Sequence, residues 1–121
     1  MTKKVLDTYA LLEIIKGNTK FAHLISGEFE IPYITMAEFW HAILKNYNER
    51  TANYWLEKFK ANCVGIDLDI HIKSRRFKHE NKEKNLSITD CIGYTYAKEN
   101  NYTFVTGDKE FKDMVNVEFI K

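Results

Sequence analysis

The sequence is poor in the residues that build the commonest metal sites and covalent crosslinks. Only Cys63 and Cys91 are cysteines, and they form no C-x-x-C pair, so neither a zinc knuckle nor a disulfide framework is predicted. The four histidines include no i, i+4 pair with an intervening glutamate, which excludes the zinc-hydrolase motif.

Long apolar runs and a strong net charge are also missing. No run approaches the roughly 18 apolar residues that a membrane span requires, and Asp7 and Glu13 interrupt the stretch near the start that resembles a signal peptide. We therefore expect a cytoplasmic protein without membrane contact. Because the formal net charge is only +1, contact with RNA or DNA would require a local basic patch.

Proline occurs once, at Pro32, and no internal repeat, low-complexity tract or linker divides the chain. A length of 121 residues predicts one domain, residues 1–121. The hydrophobic content of 45% and charged content of 29% are those of a folded globular protein.

Strand and helix patterns alternate along the chain. Strands are predicted at 3–6, 31–34, 63–66, 102–106 and 115–120, and helices at 9–16, 18–26, 35–45, 51–61, 68–84 and 87–100. The helix from Thr35 has an apolar stripe formed by Met36, Phe39, Trp40, Ile43, Leu44 and Tyr47. This alternation predicts an α/β/α sandwich around a central parallel sheet of four to five strands.

Four acids lie at equivalent places in this pattern. Asp7 ends the first strand and Asp108 follows the fourth, while Glu38 and Asp90 fall in the first turns of the helices predicted from Thr35 and Ser87. Taken singly, each acid is best explained as a helix cap. Asp7 and Asp108 fit N-caps, and Glu38 and Asp90 each follow a Ser or Thr at capping-box spacing.

Taken together, the four acids indicate a metal site. Right-handed crossovers bring the carboxyl ends of neighbouring parallel strands to one edge of the sheet, so these acids converge. Two carboxylates about 4 Å apart repel by roughly 4 kcal/mol at an effective dielectric constant near 20, so such a cluster requires a cation. Oxygen ligands without cysteine or histidine suit Mg²⁺ or Mn²⁺.

Small residues follow Asp90 on the same helix face. Gly93 and Ala97 lie at i+3 and i+7 from the acid and allow close approach to the sheet. Two explanations fit this spacing equally well: the small residues support Asp90 as a functional acid, or they only allow tight helix packing.

The segments that carry the acids resemble the four signature segments of PIN-domain nucleases, and the length resembles VapC toxins of bacterial and archaeal toxin-antitoxin pairs. The segments occur in the family's order. They are Val5-Leu6-Asp7-Thr8-Tyr9-Ala10-Leu11-Leu12, Thr35-Met36-Ala37-Glu38, Leu86-Ser87-Ile88-Thr89-Asp90 with Ile92 and Ala97, and Phe104-Val105-Thr106-Gly107-Asp108-Lys109-Glu110-Phe111. The last segment departs from the family's T-x-D-x-D-F at Glu110, and Cys91 and Gly93 depart at positions that concern packing.

This resemblance implies a PIN-like fold and a divalent-metal-dependent endoribonuclease, a hydrolase that uses Mg²⁺ or Mn²⁺. It implies catalytic and metal-binding roles for Asp7, Glu38, Asp90 and Asp108. Our hypothesis is that Asp7 and Asp90 bind the ion directly, that Glu38 and Asp108 hold the ion or its waters, and that water attacks the scissile phosphate in line.

Three neighbouring residues receive supporting roles in this hypothesis. Thr8 is predicted to support Asp7, and Thr106 is predicted to orient the attacking water or Asp108. Glu110 is one methylene longer than the family's aspartate, so its role as a ligand stays open.

The only local basic patch lies within residues 73–84. We assign RNA contacts to Arg75 and Arg76, and include Lys73 and Lys78 in the same surface. A solvated helix face with the i, i+4 pairs Arg76–Glu80 and Glu80–Lys84 is the alternative, and we favour it for the lysines that end the patch.

Aromatic residues make up 14% of the chain and are concentrated in two consecutive helices, at Phe39, Trp40, Tyr47, Tyr54, Trp55 and Phe59. Most are expected in the core, which leaves some for an interface. The family resemblance implies a homodimer and an antitoxin partner whose tail covers the acidic crevice. An arginine of that tail would pair with the carboxylates bidentately.

Other functions remain open at this point. The same enzyme could be a housekeeping RNA-processing nuclease instead of a toxin, or a PIN-like domain could act only by binding. A receiver domain of a signalling pathway also clusters aspartates at strand ends. It requires adjacent acids after the first strand, however, and Asp7 is followed by Thr8 and Tyr9.

Overall fold

A five-stranded parallel sheet forms the centre of the molecule. The structure is a computed structural model and describes residues 3–121, so the start of the predicted domain lies outside the described residues. The strands are β1 (Lys4–Leu6), β2 (Phe29–Pro32), β3 (Cys63–Val64), β4 (Thr103–Thr106) and β5 (Val117–Phe119). The helices are α1 (Thr8–Ile15), α2 (Tyr33–Asn46), α3 (Glu49–Phe59), α4 (Leu68–Glu80) and α5 (Ile88–Glu99).

The strand order β3-β2-β1-β4-β5 confirms the predicted α/β fold with a parallel sheet. The chain first builds outward from β1 to β3, then crosses back to place β4 on the other side of β1. Ligands of open α/β sheets bind beyond the strand ends where the order reverses, which here is between β1 and β4. A receiver domain has the order 2-1-3-4-5, so this sheet has a different topology.

Two apolar cores cover the two faces of the sheet. One contains Leu6 and Val105 from the sheet together with the buried sides of α1, α2 and α3. The other contains Val5 and Phe104 with the buried side of α5 and Phe77 of α4. Because successive strand residues point to opposite faces, β1 and β4 contribute to both cores and hold their carboxyl ends firmly in place.

The start of α2 differs from the sequence prediction. We predicted a strand over 31–34 and a helix from Thr35, but β2 ends at Pro32 and α2 begins at Tyr33. Proline fixes φ near the value required just before a helix and ends the strand, which explains the earlier start. Thr35 is consequently buried inside the helix and caps nothing, and Glu38 lies in its second turn.

Several other elements are shorter than predicted, and the third strand, predicted over 63–66, covers only Cys63–Val64. Helix α4 ends at Glu80, where the Asn81 side chain caps the carbonyl of Phe77 instead of continuing to residue 84. The segment predicted as a helix over 18–26 is a 3₁₀ helix at Thr19–Leu24. The last strand starts only at Val117, because Asn116 adopts a positive φ of 59°.

The predicted positions of two apolar residues are wrong. Val115 is 62% exposed and lies before β5, so it shares no face with the strand residues. Tyr47, predicted in the α2 stripe, is 58% exposed at the end of that helix. Over residues 3–121, every helix is too short or too polar to cross a bilayer.

Candidate active site

Asp7 and Asp108 lie at the ends of β1 and β4, on the two sides of the point where the strand order reverses. The Asp7 amide continues the β1–β4 ladder by donating to Val105 O at 3.2 Å. Its carboxylate accepts the Ala10 amide at 2.7 Å, and that of Asp108 accepts the Glu110 amide at 2.9 Å. Both acids therefore cap helices, as predicted for each acid taken alone, and they also line a common cleft.

Helices α2 and α5 bring the other two acids to the same edge. Glu38 is exposed, and its carboxylate accepts the Thr8 hydroxyl at 2.5 Å. Asp90 is partly buried in the first turn of α5, where its amide donates to Ser87 Oγ at 3.1 Å. The predicted capping role of Ser87 is confirmed.

Gly93, three residues after Asp90, determines how close α5 lies to the sheet. A Cβ atom at Gly93 would lie 2.8 Å from Cε1 of Phe104 in β4, closer than real Cβ contacts. Ala97, one turn further on, is fully buried. This approach carries Asp90 over the end of β4.

The four acids line one open cleft of about 570 Å³. Its walls are formed by Asp7, Thr8, Tyr9, Glu38, Asp90, Gly107, Asp108, Lys109 and Lys121. Convergence of acids from four separate segments, predicted from the sheet topology, is therefore observed in the structure.

The electrostatics of Asp90 reflect this convergence. Burial is the main cause that raises the pKa of Asp90 to about 7, and the negative charges of Asp7, Asp108 and Glu38 raise it further. The bond with Ser87 acts in the opposite direction. Each of the other three acids is thus close enough to disfavour the charged form of Asp90.

Asp7 is also perturbed, but its hydrogen bonds limit the change. Burial raises the pKa of Asp7 to about 6, whereas bonds from the Thr106 side chain and from the Ala10 and Gly107 amides lower it. The Asp108 charge is a smaller cause in the upward direction. Asp7 is only 4% exposed, so these donors fix the carboxylate in one orientation.

Sequence comparison identifies the family of the chain that forms this acid cleft. The model of the PIN domain family matches residues 4–116. The chain belongs to the PIN domain family. No curated protein matches this PIN domain in sequence.

Solved structures with the same fold come from toxin-antitoxin systems. A toxin-antitoxin complex from Klebsiella pneumoniae matches with a TM-score of 0.76 and 24% identity over 95% of both chains. VapBC2 from Rickettsia felis, bound to a promoter DNA fragment, matches with a TM-score of 0.78 and 20% identity over 98% of this chain and 99% of that one.

A third similar structure is a toxin that cleaves the sarcin-ricin loop. Mycobacterium tuberculosis VapC20 matches with a TM-score of 0.76 and 12% identity over 95% of this chain and 98% of that one. At these identities the likeness establishes the fold.

The donors in the cleft fit a hard divalent cation. All four acidic side chains offer oxygen, and no cysteine or histidine lines the cleft. Within residues 3–121, no three acids, histidines or cysteines are close enough to enclose an ion by themselves. Such a site suits Mg²⁺, which uses one or two carboxylates and keeps several waters.

The supporting residues are arranged differently from the prediction. Thr8 donates to Glu38, so the hydroxyl orients that acid, and its support of Asp7 stays a prediction. Thr106 Oγ1 accepts the Asp108 amide at 3.0 Å and also bonds to Asp7, so it links the two acids across the strand ends. Glu110 does not line the cleft; its amide donates to the Asp108 carboxylate, which caps the 3₁₀ helix.

Sequence reasoning assigned no role to four residues that line the cleft. Tyr9, Gly107 and Lys109 lie inside motif segments in which only the acids and two threonines received roles, and Lys121 lies just after β5. Pairing of β5 with β4 is what carries Lys121 to the acids. The sequence signal was the predicted last strand, whose register could not be fixed without the sheet order.

The basic patch on α4 is divided between structural and free charges. Lys73 pairs with Asp69 at 3.3 Å and Glu99 at 2.7 Å, so it belongs to the α4–α5 contact. Lys78 Nζ donates to the carbonyl of Leu86. Within residues 3–121 the predicted pairs between Glu80 and its i±4 neighbours are not formed.

Arg75 and Arg76 are the exposed part of this patch. Burial raises the pKa of Cys91 to about 11, and the charges of Lys78 and Arg75 act against that rise. The Arg75 charge therefore reaches the residue that follows Asp90.

Proposed function

We propose that this PIN domain is a divalent-metal-dependent endoribonuclease that hydrolyses RNA phosphodiester bonds. The observation that carries the proposal is the convergence of Asp7, Glu38, Asp90 and Asp108 on one cleft at the point where the strand order reverses. The raised pKa values of Asp7 and Asp90 show that this cluster is electrostatically costly without a cation.

Two of the four carboxylates would bind the ion, and the other two would act on water. Asp7, fixed by three donors, and Asp90, carried over β4 by α5, would hold a Mg²⁺ or Mn²⁺ ion. When bound, such an ion shields the phosphate charge and acidifies water. Glu38 is exposed and oriented by Thr8, so it can accept a proton from the attacking water, and Asp108 orients water from the other side.

RNA is the proposed substrate because of the charge distribution around the cleft and the likeness to an RNA-cleaving toxin. Arg75 and Arg76 are exposed on α4, and the Arg75 charge reaches Cys91, next to Asp90; both guanidinium groups are proposed to contact phosphates. VapC20, a sarcin-ricin loop cleaving toxin, shares the fold across 95% of this chain.

We further propose that the protein is the toxin of a toxin-antitoxin pair. Similar folds occur in toxin-antitoxin complexes. A mainly apolar groove of about 550 Å³ between α2 and α3, lined by Tyr33, Met36, Trp40 and Leu56, offers a surface for an antitoxin segment. Ala37 lines the groove and the adjacent Glu38 lines the cleft. The antitoxin segment is proposed to run from the groove to the cleft and to place an arginine among the acids.

A homodimer and a cytoplasmic location belong to the same proposal. Phe39 and Phe59 of the aromatic cluster are buried, whereas Tyr47 and Tyr54 are 58% and 54% exposed and offer aromatic surface to another chain. A housekeeping RNA-processing role is the second candidate, and co-purification with the product of a neighbouring reading frame separates the two roles.

The nuclease proposal is tested by incubating structured RNA, single-stranded RNA and DNA with wild type, Asp7→Asn and Asp113→Asn, with Mg²⁺, Mn²⁺ or EDTA. Asp113 is exposed and does not line the cleft, so it is a matched control. We expect internal cleavage by wild type and Asp113→Asn that requires the cation, and none by Asp7→Asn. Equal cleavage by all three proteins would refute this site, and cleavage of DNA alone would refute the substrate.

A further inference from the structure

Two lysines line the acid cleft beside the carboxylates. Lys109 follows Asp108 in the 3₁₀ helix at Lys109–Phe111, and Lys121 lies just beyond β5. Both are exposed, and across residues 3–121 neither forms an ion pair with a carboxylate. Their charges are therefore available to an anionic ligand.

The backbone that carries Lys121 is held on two sides. The Ile120 amide donates to Thr106 O at 3.0 Å and so extends the β4–β5 pairing to the cleft. The Lys20 ammonium group donates to the carbonyl of Lys121 at 3.0 Å. Lys121 thus has a fixed position relative to the end of β4.

The side chain of Lys121 is also directed by an aromatic ring. Its Nζ lies 5.2 Å from the ring centroid of Tyr9, a cation–π contact. The Tyr9 ring occupies the space over Gly107, where a Cβ would lie only 2.3 Å from Cε2, and it packs edge-on against Phe21 at 5.9 Å. A ring fixed in this way holds the ammonium group at the rim of the cleft.

We propose that Lys121 binds a phosphate of the RNA next to the scissile one and positions the strand across the acid cleft. This inference rests on the proposed ribonuclease function. A polyanion approaching four carboxylates is repelled, and a cation at the rim that no acid neutralises offsets that repulsion at one defined place. Lysine binds phosphate as a compact point charge, which fits a contact to the backbone without base preference.

A competing role for Lys121 makes the opposite prediction. If its charge served instead as an internal counterion for the acids, removing it would strengthen cation binding in the cleft. As a phosphate contact, its removal weakens RNA binding and leaves the Mg²⁺ requirement unchanged.

The test compares Lys121→Gln and Lys121→Arg with the control Lys112→Gln. Lys112 is matched because it too is exposed and stacks on a ring, Phe119 at 5.7 Å, but it does not line the cleft. RNA affinity is measured by fluorescence anisotropy across salt concentrations in the Asp7→Asn background, where RNA stays intact. KM, kcat and the Mg²⁺ midpoint are measured in the active background.

For Lys121→Gln we expect RNA affinity to fall by about threefold to tenfold and the salt slope to fall by about 0.7, the value for one phosphate contact to a single strand. KM should rise to a similar extent while kcat stays within about twofold, because the contact stabilises the bound substrate and the transition state equally. Lys121→Arg should restore binding because it keeps the charge, and Lys112→Gln should match wild type.

Two results would overturn the assignment of Lys121. One is an affinity and salt slope for Lys121→Gln equal to those of Lys112→Gln, and the other is a lower Mg²⁺ midpoint with unchanged RNA affinity. Failure of the ribonuclease proposal is distinguishable, since the wild type then cleaves no RNA. Absence of both cleavage and RNA binding overturns both proposals.

Discussion

Replacing Asp90 by asparagine should stabilise the fold at neutral pH while it abolishes activity. Asparagine keeps the shape of the side chain but removes a charge that burial and the carboxylates of Asp7, Asp108 and Glu38 all disfavour. The Ser87 hydroxyl still caps α5, because it accepts the backbone amide of residue 90.

The magnitude follows from the pKa of Asp90. A rise from 3.8 to about 7 means that folding favours the protonated carboxyl by at most roughly 4 kcal/mol, at 1.36 kcal/mol per pH unit. Because Asp90 is only partly buried and solvent screens its neighbours, we expect about 2 kcal/mol. For a chain of this length, about 2 kcal/mol corresponds to a rise in Tm of roughly 8 °C.

The pH dependence has a definite sign. Between the unfolded pKa of 3.8 and the folded pKa of about 7, the native state binds more protons than the unfolded state. The wild type should therefore lose stability as the pH rises through that range, and Asp90→Asn should lose less. Saturating Mg²⁺ should restore stability to the wild type but have little effect on the variant.

Thermal unfolding followed by circular dichroism, at about pH 5 and about pH 8 with EDTA or Mg²⁺, measures these differences. Asp113→Asn is the control and should stay within about 0.5 kcal/mol of wild type. An Asp90→Asn protein no more stable than wild type at the higher pH would refute the conclusion that the acids repel one another in the folded state.

Three further predictions concern packing, substrate binding and the Asp7 carboxylate. Gly93→Ala should destabilise the fold by about 1 to 3 kcal/mol in urea unfolding, because its Cβ would lie 2.8 Å from Phe104, whereas Gly27→Ala, with nothing within 4 Å, should not. Arg75→Ala with Arg76→Ala should lower the salt slope of RNA binding by about 1.4, and a control that removes Lys45 and Arg50, which are exposed and do not line the cleft, should not. Thr106→Val removes a bond that lowers the pKa of Asp7, so the rise of cleavage with pH should move to higher pH; an unchanged pH profile would contradict that role.

The fold and the acids of the cleft were predictable because both depend on periodic patterns and sheet topology. Alternating elements imply a parallel sheet, and a parallel sheet brings Asp7 and Asp108 to one edge whatever the exact strand bounds. Gly93 was recognised as a close-approach position, and its contact with Phe104 confirms tight packing beneath Asp90. Tight packing of α5 on β4 and support of Asp90 are therefore compatible explanations for the spacing of Gly93 and Ala97 after Asp90.

Details that depend on single backbone positions or on strand register were less predictable. Pro32 was placed inside a strand, yet it ends β2, and Glu38 consequently lies in the second turn of α2. Thr8 bonds to Glu38 rather than Asp7 because the direction of a hydroxyl follows tertiary packing. Lys121 was overlooked because only the β4–β5 register brings it to the cleft.

Direct measurement of Mn²⁺ binding by electron paramagnetic resonance tests the central claim that Asp7 and Asp90 hold a cation in the acid cleft. Wild type should bind Mn²⁺ in the cleft, Asp7→Asn and Asp90→Asn should weaken binding by at least about tenfold, and Mg²⁺ should compete. Glu110→Gln should bind like wild type, because Glu110 lies outside the cleft lining. Unchanged Mn²⁺ affinity in both aspartate variants would contradict the account.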